Sequence, residues 1–379
     1  MSDKKLGRNK AGRRRRWLGS LLLLSVVAAV CLLAGEVVVR ALYADSMVVF
    51  PRYHTNADYG EYTLRRMRPN SVFWHSGPDG RWKFVINEQG FRDTEDYRYE
   101  KPDGLFRIIS LGDSHTQGYE VRQNKTFSEI LERALRARGV DAEVLNTGVS
   151  GFSTAEQLAF LEAEGIKYRP DAVVLGFYAN DFDDNVKADL FRLDGEVLVA
   201  GKTRHIPGVA VLNIINAIPP FRWLSENSRL YSLALNTAWF TAKELLLEAR
   251  EAELQTEFAV HSGEVSAYKK RLASRLVQRI SAFCRAEGIA FIILDIPGMA
   301  DRAGYDFAPS IPDELIPAFR AASDALLLSE DVLGNYRGLA ESHVPNGHQH
   351  ISEFSHLMFG LAAATAVLPE ATADLRSAD

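Results

Sequence analysis

Two cysteines, Cys31 and Cys284, are the only thiols in 379 residues, so no disulfide framework holds this chain together. Cys31 lies in an apolar run and Cys284 in a stretch with helical spacing, so the two are not expected to pair. A chain of this length can rely on its core instead. Internal repeats and low-complexity tracts are absent, and the 47% hydrophobic and 25% charged residues are ordinary for a globular protein. Positive charge is scarce beyond the amino terminus. Of 44 Lys and Arg and 49 Asp and Glu, eight bases and one acid fall in the first sixteen residues, leaving 36 bases against 48 acids. The body is acidic, which argues against nucleic acid as a partner.

Charge is missing altogether from Trp17 to Gly35, nineteen residues rich in Leu, Val and Ala. That length crosses a hydrocarbon core as a helix. The basic cluster of residues 1–16 precedes it and would stay cytoplasmic, so the rest of the chain is expected outside, in the periplasm or beyond. A cleaved signal peptide is the competing reading. The run is long for one and continues as Val37-Val38-Val39, so an uncleaved anchor over 17–39 in the cell inner membrane is expected.

Residues 40–103 form an aromatic-rich lead-in. Within it, 71–75 and 81–86 flank Gly77-Pro78-Asp79-Gly80 and predict a hairpin with an Asp-Gly turn; His75 there is read as a surface residue. From 106 onward, short apolar runs at 106–111, 142–147, 172–178 and 289–295 alternate with helical spacing at 125–138, 154–166, 265–287 and 352–367. Such alternation predicts a parallel sheet covered by helices on both faces. Residues 183–262 break the pattern and are read as an insertion over the carboxyl edge of the sheet; 370–379 are a tail.

The run Phe106–Leu111 stops at Gly112-Asp113-Ser114, which puts Ser114 at a strand-to-helix turn, where ligands collect in such sheets. Asp113 and Ser114 are also ordinary helix caps, and the tripeptide alone does not separate the two readings. Other strands end in polar residues too: Asn146 to Gly151 after the second, Asn180-Asp181 after the third, and His348 and His350 before the last helix. A serine, close backbone donors, an amide and a late histidine are parts for acyl transfer.

In order and spacing these four blocks resemble the SGNH/GDSL hydrolase superfamily over about residues 104–369. The resemblance implies a three-layer α/β/α sandwich with a central parallel sheet, flavodoxin-like, preceded here by one transmembrane helix. It also implies Ser114 as nucleophile, His350 (or, fitting less well, His348) as base, and an oxyanion hole from Ser114, Gly151 and Asn180. His343 and His356 are read as surface residues. The single anchor, Gly90-Phe91-Arg92 and the insertion further resemble membrane-anchored members associated with extracellular polysaccharides. From these follow an acyl-ester or glycan substrate, acetyl on a glycan being the expectation, and polysaccharide-assembly proteins as partners. No cofactor or metal is expected, since no closely spaced His/carboxylate set falls near the strand ends.

One departure stands out. The family carries an acid two or three residues before the histidine, where this chain has His348 and Gly347. The acid is then supplied from elsewhere, with Asp184, Asp295 and Glu341 as candidates, or replaced by a backbone carbonyl, or absent. In the last case the chain is a degenerate member that binds glycan or supports assembly. Water and a sugar hydroxyl both remain open as acyl acceptors.

Overall fold

A computed structural model describes residues 3–43, 49, 53–238, 241, 266–346 and 348–377. Helix α1 (Asp3–Leu42) contains an apolar span, Arg15–Leu42, of mean hydropathy 2.6 that is almost wholly unburied. The lead-in contributes two antiparallel pairs: β1 (His54–Tyr59) with β2 (Tyr62–Met67), and β3 (Ser71–Gly77) with β4 (Gly80–Ile86). The hairpin expected there forms, but its two-residue turn is Pro78-Asp79, one residue earlier than an Asp-Gly turn, because Gly80 already pairs with Gly77 as the first residue of β4.

Five parallel strands form the central sheet: β5 (Phe106–Leu111), β6 (Ala142–Asn146), β7 (Ala172–Phe177), β11 (Ala290–Asp295) and β14 (Ala325–Leu327), in the order β14-β11-β7-β5-β6. Strand periodicity sorts their side chains between two cores. Ile109, Leu111, Val173 and Leu175 face α4 (Thr154–Ala163) and α8 (Ala267–Glu287) through Leu158, Leu276 and Ile280. Ile108, Val144 and Val174 face α3 (Phe127–Arg136) and α11 (Glu353–Ser377) through Leu131, Leu135 and Phe359. Both faces are covered, which is why β5 and β7 are buried at every position and read as near-continuous apolar runs.

The Gly112-Asp113-Ser114 turn opens α2 (Ser114–Gln117) directly after β5. Helix α5 (Asp181–Ala188) follows β7 and leads into the insertion. Its described part holds β8 (Phe191–Asp194), β9 (Val197–Ala200), β10 (Arg204–His205), α6 (Val209–Asn216) and α7 (Pro219–Asn227). Most of 239–265 lies outside the described residues. After β11 come the short pair β12 (Gly298–Met299) and β13 (Phe307–Ala308), then α9 (Ile316–Ala322) and α10 (Ser329–Leu333).

A third cluster joins the lead-in to the sheet's upper edge: Tyr53, Phe73, Trp82 and Phe84 pack with Tyr119 and Val344. The lead-in therefore rests on the loop just after α2.

Helix α4 carries a buried acid at its start. Ser153 and Glu156 form a capping box, which satisfies two amide donors. Burial pushes Glu156 up from 4.5 to about 7 against the opposing Arg65 charge and the Ser153 bonds. The folded state thus holds this proton more tightly than the unfolded chain. Its contribution is fully present below 4.5 and is lost as pH rises through about 7. The loss is worth up to about 3 kcal/mol. Glu156→Gln keeps a side chain suited to the capping box and removes the titration. Denaturant melts at about pH 5 and pH 8 should then show a smaller loss of stability for the variant than for the parent chain.

Candidate active site

Ser114 begins α2 because Asp113 caps that helix, its carboxylate accepting from the His115 N–H at 2.8 Å. Burial pushes Asp113 up to about 6, against the His115 and Asn180 hydrogen bonds and the His350 charge. Ser114 itself is half-buried, just past the carboxyl end of β5.

The chain brings His350 to it across 236 residues. His350 Nε2 lies 2.8 Å from Ser114 Oγ, and His350 Nδ1 lies 3.3 Å from a Glu120 carboxylate oxygen. With its proton on Nδ1, the ring donates to Glu120 and accepts from the serine hydroxyl. His348 does not approach Ser114 in this way. Its N–H donates to Glu120 at 2.7 Å, and its ring lies against those of His75 and Tyr119.

Glu120 is the acid the sequence did not reveal. It sits six residues after Ser114 in a left-handed turn (φ 61°), a conformation that costs a non-glycine residue on the order of 1 kcal/mol or more. Arg92 holds that turn. Its buried guanidinium donates to the carbonyls of Gln117, Gly118 and Val121 and stacks 3.7 Å over Phe84. Burial would raise the Glu120 carboxyl. The His350 hydrogen bond and charge, the nearby His75 ring and the His348 N–H outweigh it and hold the group well below the usual carboxylate range.

The three acids proposed from sequence are elsewhere. Asp184 pairs with Lys187, and Asp295 accepts from Ser310, Ile311 and Ser329. Glu341 is exposed. Three histidines read as surface residues are fully buried. His75 comes within 3.8 Å of Glu120, His343 bonds to Pro297 O and Ser342, and His356 accepts from Phe127 N–H at 3.0 Å. Their side chains are enclosed by segments far away in sequence, which no local pattern reports.

His75, Glu120 and His348 also place three potential metal-ligating atoms within 4.8 Å of one another. Sequence spacing does not show such a His/carboxylate set, because it is assembled from three separate segments. Both Glu120 oxygens already accept from backbone or ring N–H groups of His348 and His350.

Around Ser114 stand the remaining predicted groups. The Asn146–Gly151 loop packs closely on α2: a Cβ on Gly148 would sit 2.4 Å from Gln117 N. Ser150 N–H donates to the Gln117 side chain at 3.0 Å, and Phe152 N–H to Val149 O at 2.9 Å. These contacts fix the backbone on either side of Gly151. Gly151 has φ 72°, and its carbonyl accepts from Arg65. Asn180 is half-buried, and its amide donates to Asp113 at 3.0 Å, so it is tethered to the residue next to Ser114. The arrangement can move a proton from a hydroxyl to an imidazole backed by a carboxylate.

An arylesterase of Vibrio mimicus is 35% identical over 75 residues, a match covering 20% of this chain and 38% of that protein. Among solved structures, the lipase/acylhydrolase of Enterococcus faecalis aligns at 16% identity over 69% of this chain and 95% of its own, with a TM-score of 0.36. LAE5, an alpha/beta hydrolase from the metagenome of Lake Arreo, aligns at 13% identity over 71% of this chain and 98% of its own, TM-score 0.37. The model of the GDSL-like lipase/acylhydrolase family matches residues 110–313, more than half of the sequence, and the chain belongs to that family.

Proposed function

We propose that the protein is a membrane-anchored serine esterase or O-acyltransferase. It acts on acyl esters, acetyl foremost, of a glycan outside the cytoplasm. The observation that carries the catalytic part is the 2.8 Å approach of His350 Nε2 to Ser114 Oγ with the Glu120 carboxylate behind the ring. Ser114 Oγ attacks the ester carbonyl as His350 takes its proton. His350, now an imidazolium facing Glu120, returns that proton to the departing alcohol oxygen as the acyl–oxygen bond breaks. The acyl-enzyme then passes its acyl group to water or a sugar hydroxyl: His350 takes the incoming hydroxyl's proton and returns it to Ser114 Oγ as the acyl–Oγ bond breaks. The glycan and its assembly proteins rest on the likeness to anchored, polysaccharide-associated members. The anchor rests on the apolar span of α1 and the basic residues before it.

The N–H groups of Ser114 and Gly151 and the Asn180 amide are assigned to the developing oxyanion. Removing one such donor typically lowers kcat about 10²–10³-fold. Asn180→Ala should show that loss with KM little changed, measured by steady-state hydrolysis of an activated acetyl ester.

Purified full chain with an activated acetyl ester, assayed with and without an acetyl-free oligosaccharide, separates the two acceptors. Release of acetate alone selects the esterase, and acetyl on the sugar selects the transferase. No turnover and no acyl adduct, with glycan binding retained, would replace both by the glycan-binding reading.

A further inference from the structure

Helix α6 is apolar on two sides. Val209, Leu212 and Asn216 face inward and are buried, while Val211 (60% exposed), Ile214 (71%) and, just past its end, Ile218 face out. A helix apolar all round belongs in a core or in lipid. The next helix, α7, continues the outward surface with Phe221 and Trp223, the latter 63% exposed.

The position of this surface follows from α1. Glu36, the first charge after the uncharged run, accepts from Ser228 Oγ at 2.7 Å, Arg229 N–H at 3.0 Å and Leu230 N–H at 2.9 Å. Arg40 donates to Asn227 O at 2.9 Å. If α1 spans the bilayer, its first charged residue marks the edge of the hydrocarbon, and the end of α7 is fastened there. Trp223 is five residues before Ser228, about 8 Å of helix. The polar zone on each side of the hydrocarbon is about 5–8 Å deep. The exposed apolar and aromatic side chains of α6 and α7 are thus tethered within reach of the zone that tryptophan favours. Exposed Arg222 lies beside them and suits a headgroup phosphate.

We infer that α6 and α7 form a second membrane contact, an interfacial foot that lays Ile214, Phe221 and Trp223 into the outer leaflet and fixes the orientation of the catalytic body over the bilayer. The inference rests on the reading of α1 as a retained anchor. Its occupant is lipid, because the surface is tied to the end of the span by Glu36 and Arg40.

Full-length protein in phosphatidylcholine vesicles, with bromine on the acyl chains, tests it by tryptophan quenching. Trp223→Phe and Trp17→Phe isolate the emission of each residue by difference from the parent chain, Trp17 reporting on the anchor. Expected is loss of Trp223 emission in brominated against ordinary lipid, together with loss of Trp17 emission. Quenched Trp17 with unquenched Trp223 leaves the anchor standing and overturns the foot, including the case in which a second copy of the chain covers it. If neither is quenched, the anchor reading and the foot fall together.

Discussion

Ser114→Ala should lower kcat for ester hydrolysis by about 10⁴–10⁶-fold while leaving the fold intact. Magnitudes of this order follow loss of the nucleophile in serine hydrolases, because no other group forms the acyl-enzyme and the remaining donors act only on bound substrate. Ser114 is half-buried, and its hydroxyl contacts His350, so its removal creates no large cavity. Unchanged melting with lost turnover is the signature to seek. Loss of both would mean that the residue is mainly a structural cap, the competing role of a serine beside Asp113.

Glu120→Gln should cost nearly as much, about 10⁴-fold in kcat, by analogy with the acid-to-amide change in a protease triad. Gln can still accept from the His348 N–H. Its amide, turned toward His350, would favour the tautomer with a bare Nδ1 and a protonated Nε2. That imidazole cannot take the Ser114 proton. The carboxylate is also held well below its ordinary range by the His350 hydrogen bond and the nearby His75 ring, against its burial. Its contribution to stability is therefore present above 4.5 and lost as pH falls through the lower folded value. Steady-state kinetics and acid melts of the variant measure both effects. Unaltered kcat would return the chain to a dyad that needs no carboxylate.

Much of this was legible in the chain. The apolar runs of β5, β6, β7 and β11 announce a parallel sheet because both faces are covered, and the residues that end them mark where Ser114, Asn146 to Gly151 and Asn180 sit. Strand β14 was not predicted: it has three residues, all half-buried, too short for a pattern. Glu120 was missed for a different reason. An acid before the histidine can be sought by counting, but this one lies on the Ser114 side, after Gly118, in a turn whose geometry depends on buried Arg92 from the lead-in. Its neighbours Tyr119 and Val121 are both buried, and that apolar flanking was the one local hint. His75, His343 and His356 were misread because a polar residue type says little about enclosure by distant segments.

The central claim is that the hydroxyl of Ser114 carries the acyl group. Rapid acid quench during turnover of an activated ester, followed by peptide mass mapping, reads this directly. The account predicts a single acetyl mass on the peptide containing Ser114, absent from Ser114→Ala. An adduct on another side chain, or hydrolysis by Ser114→Ala at the parental rate, would contradict it.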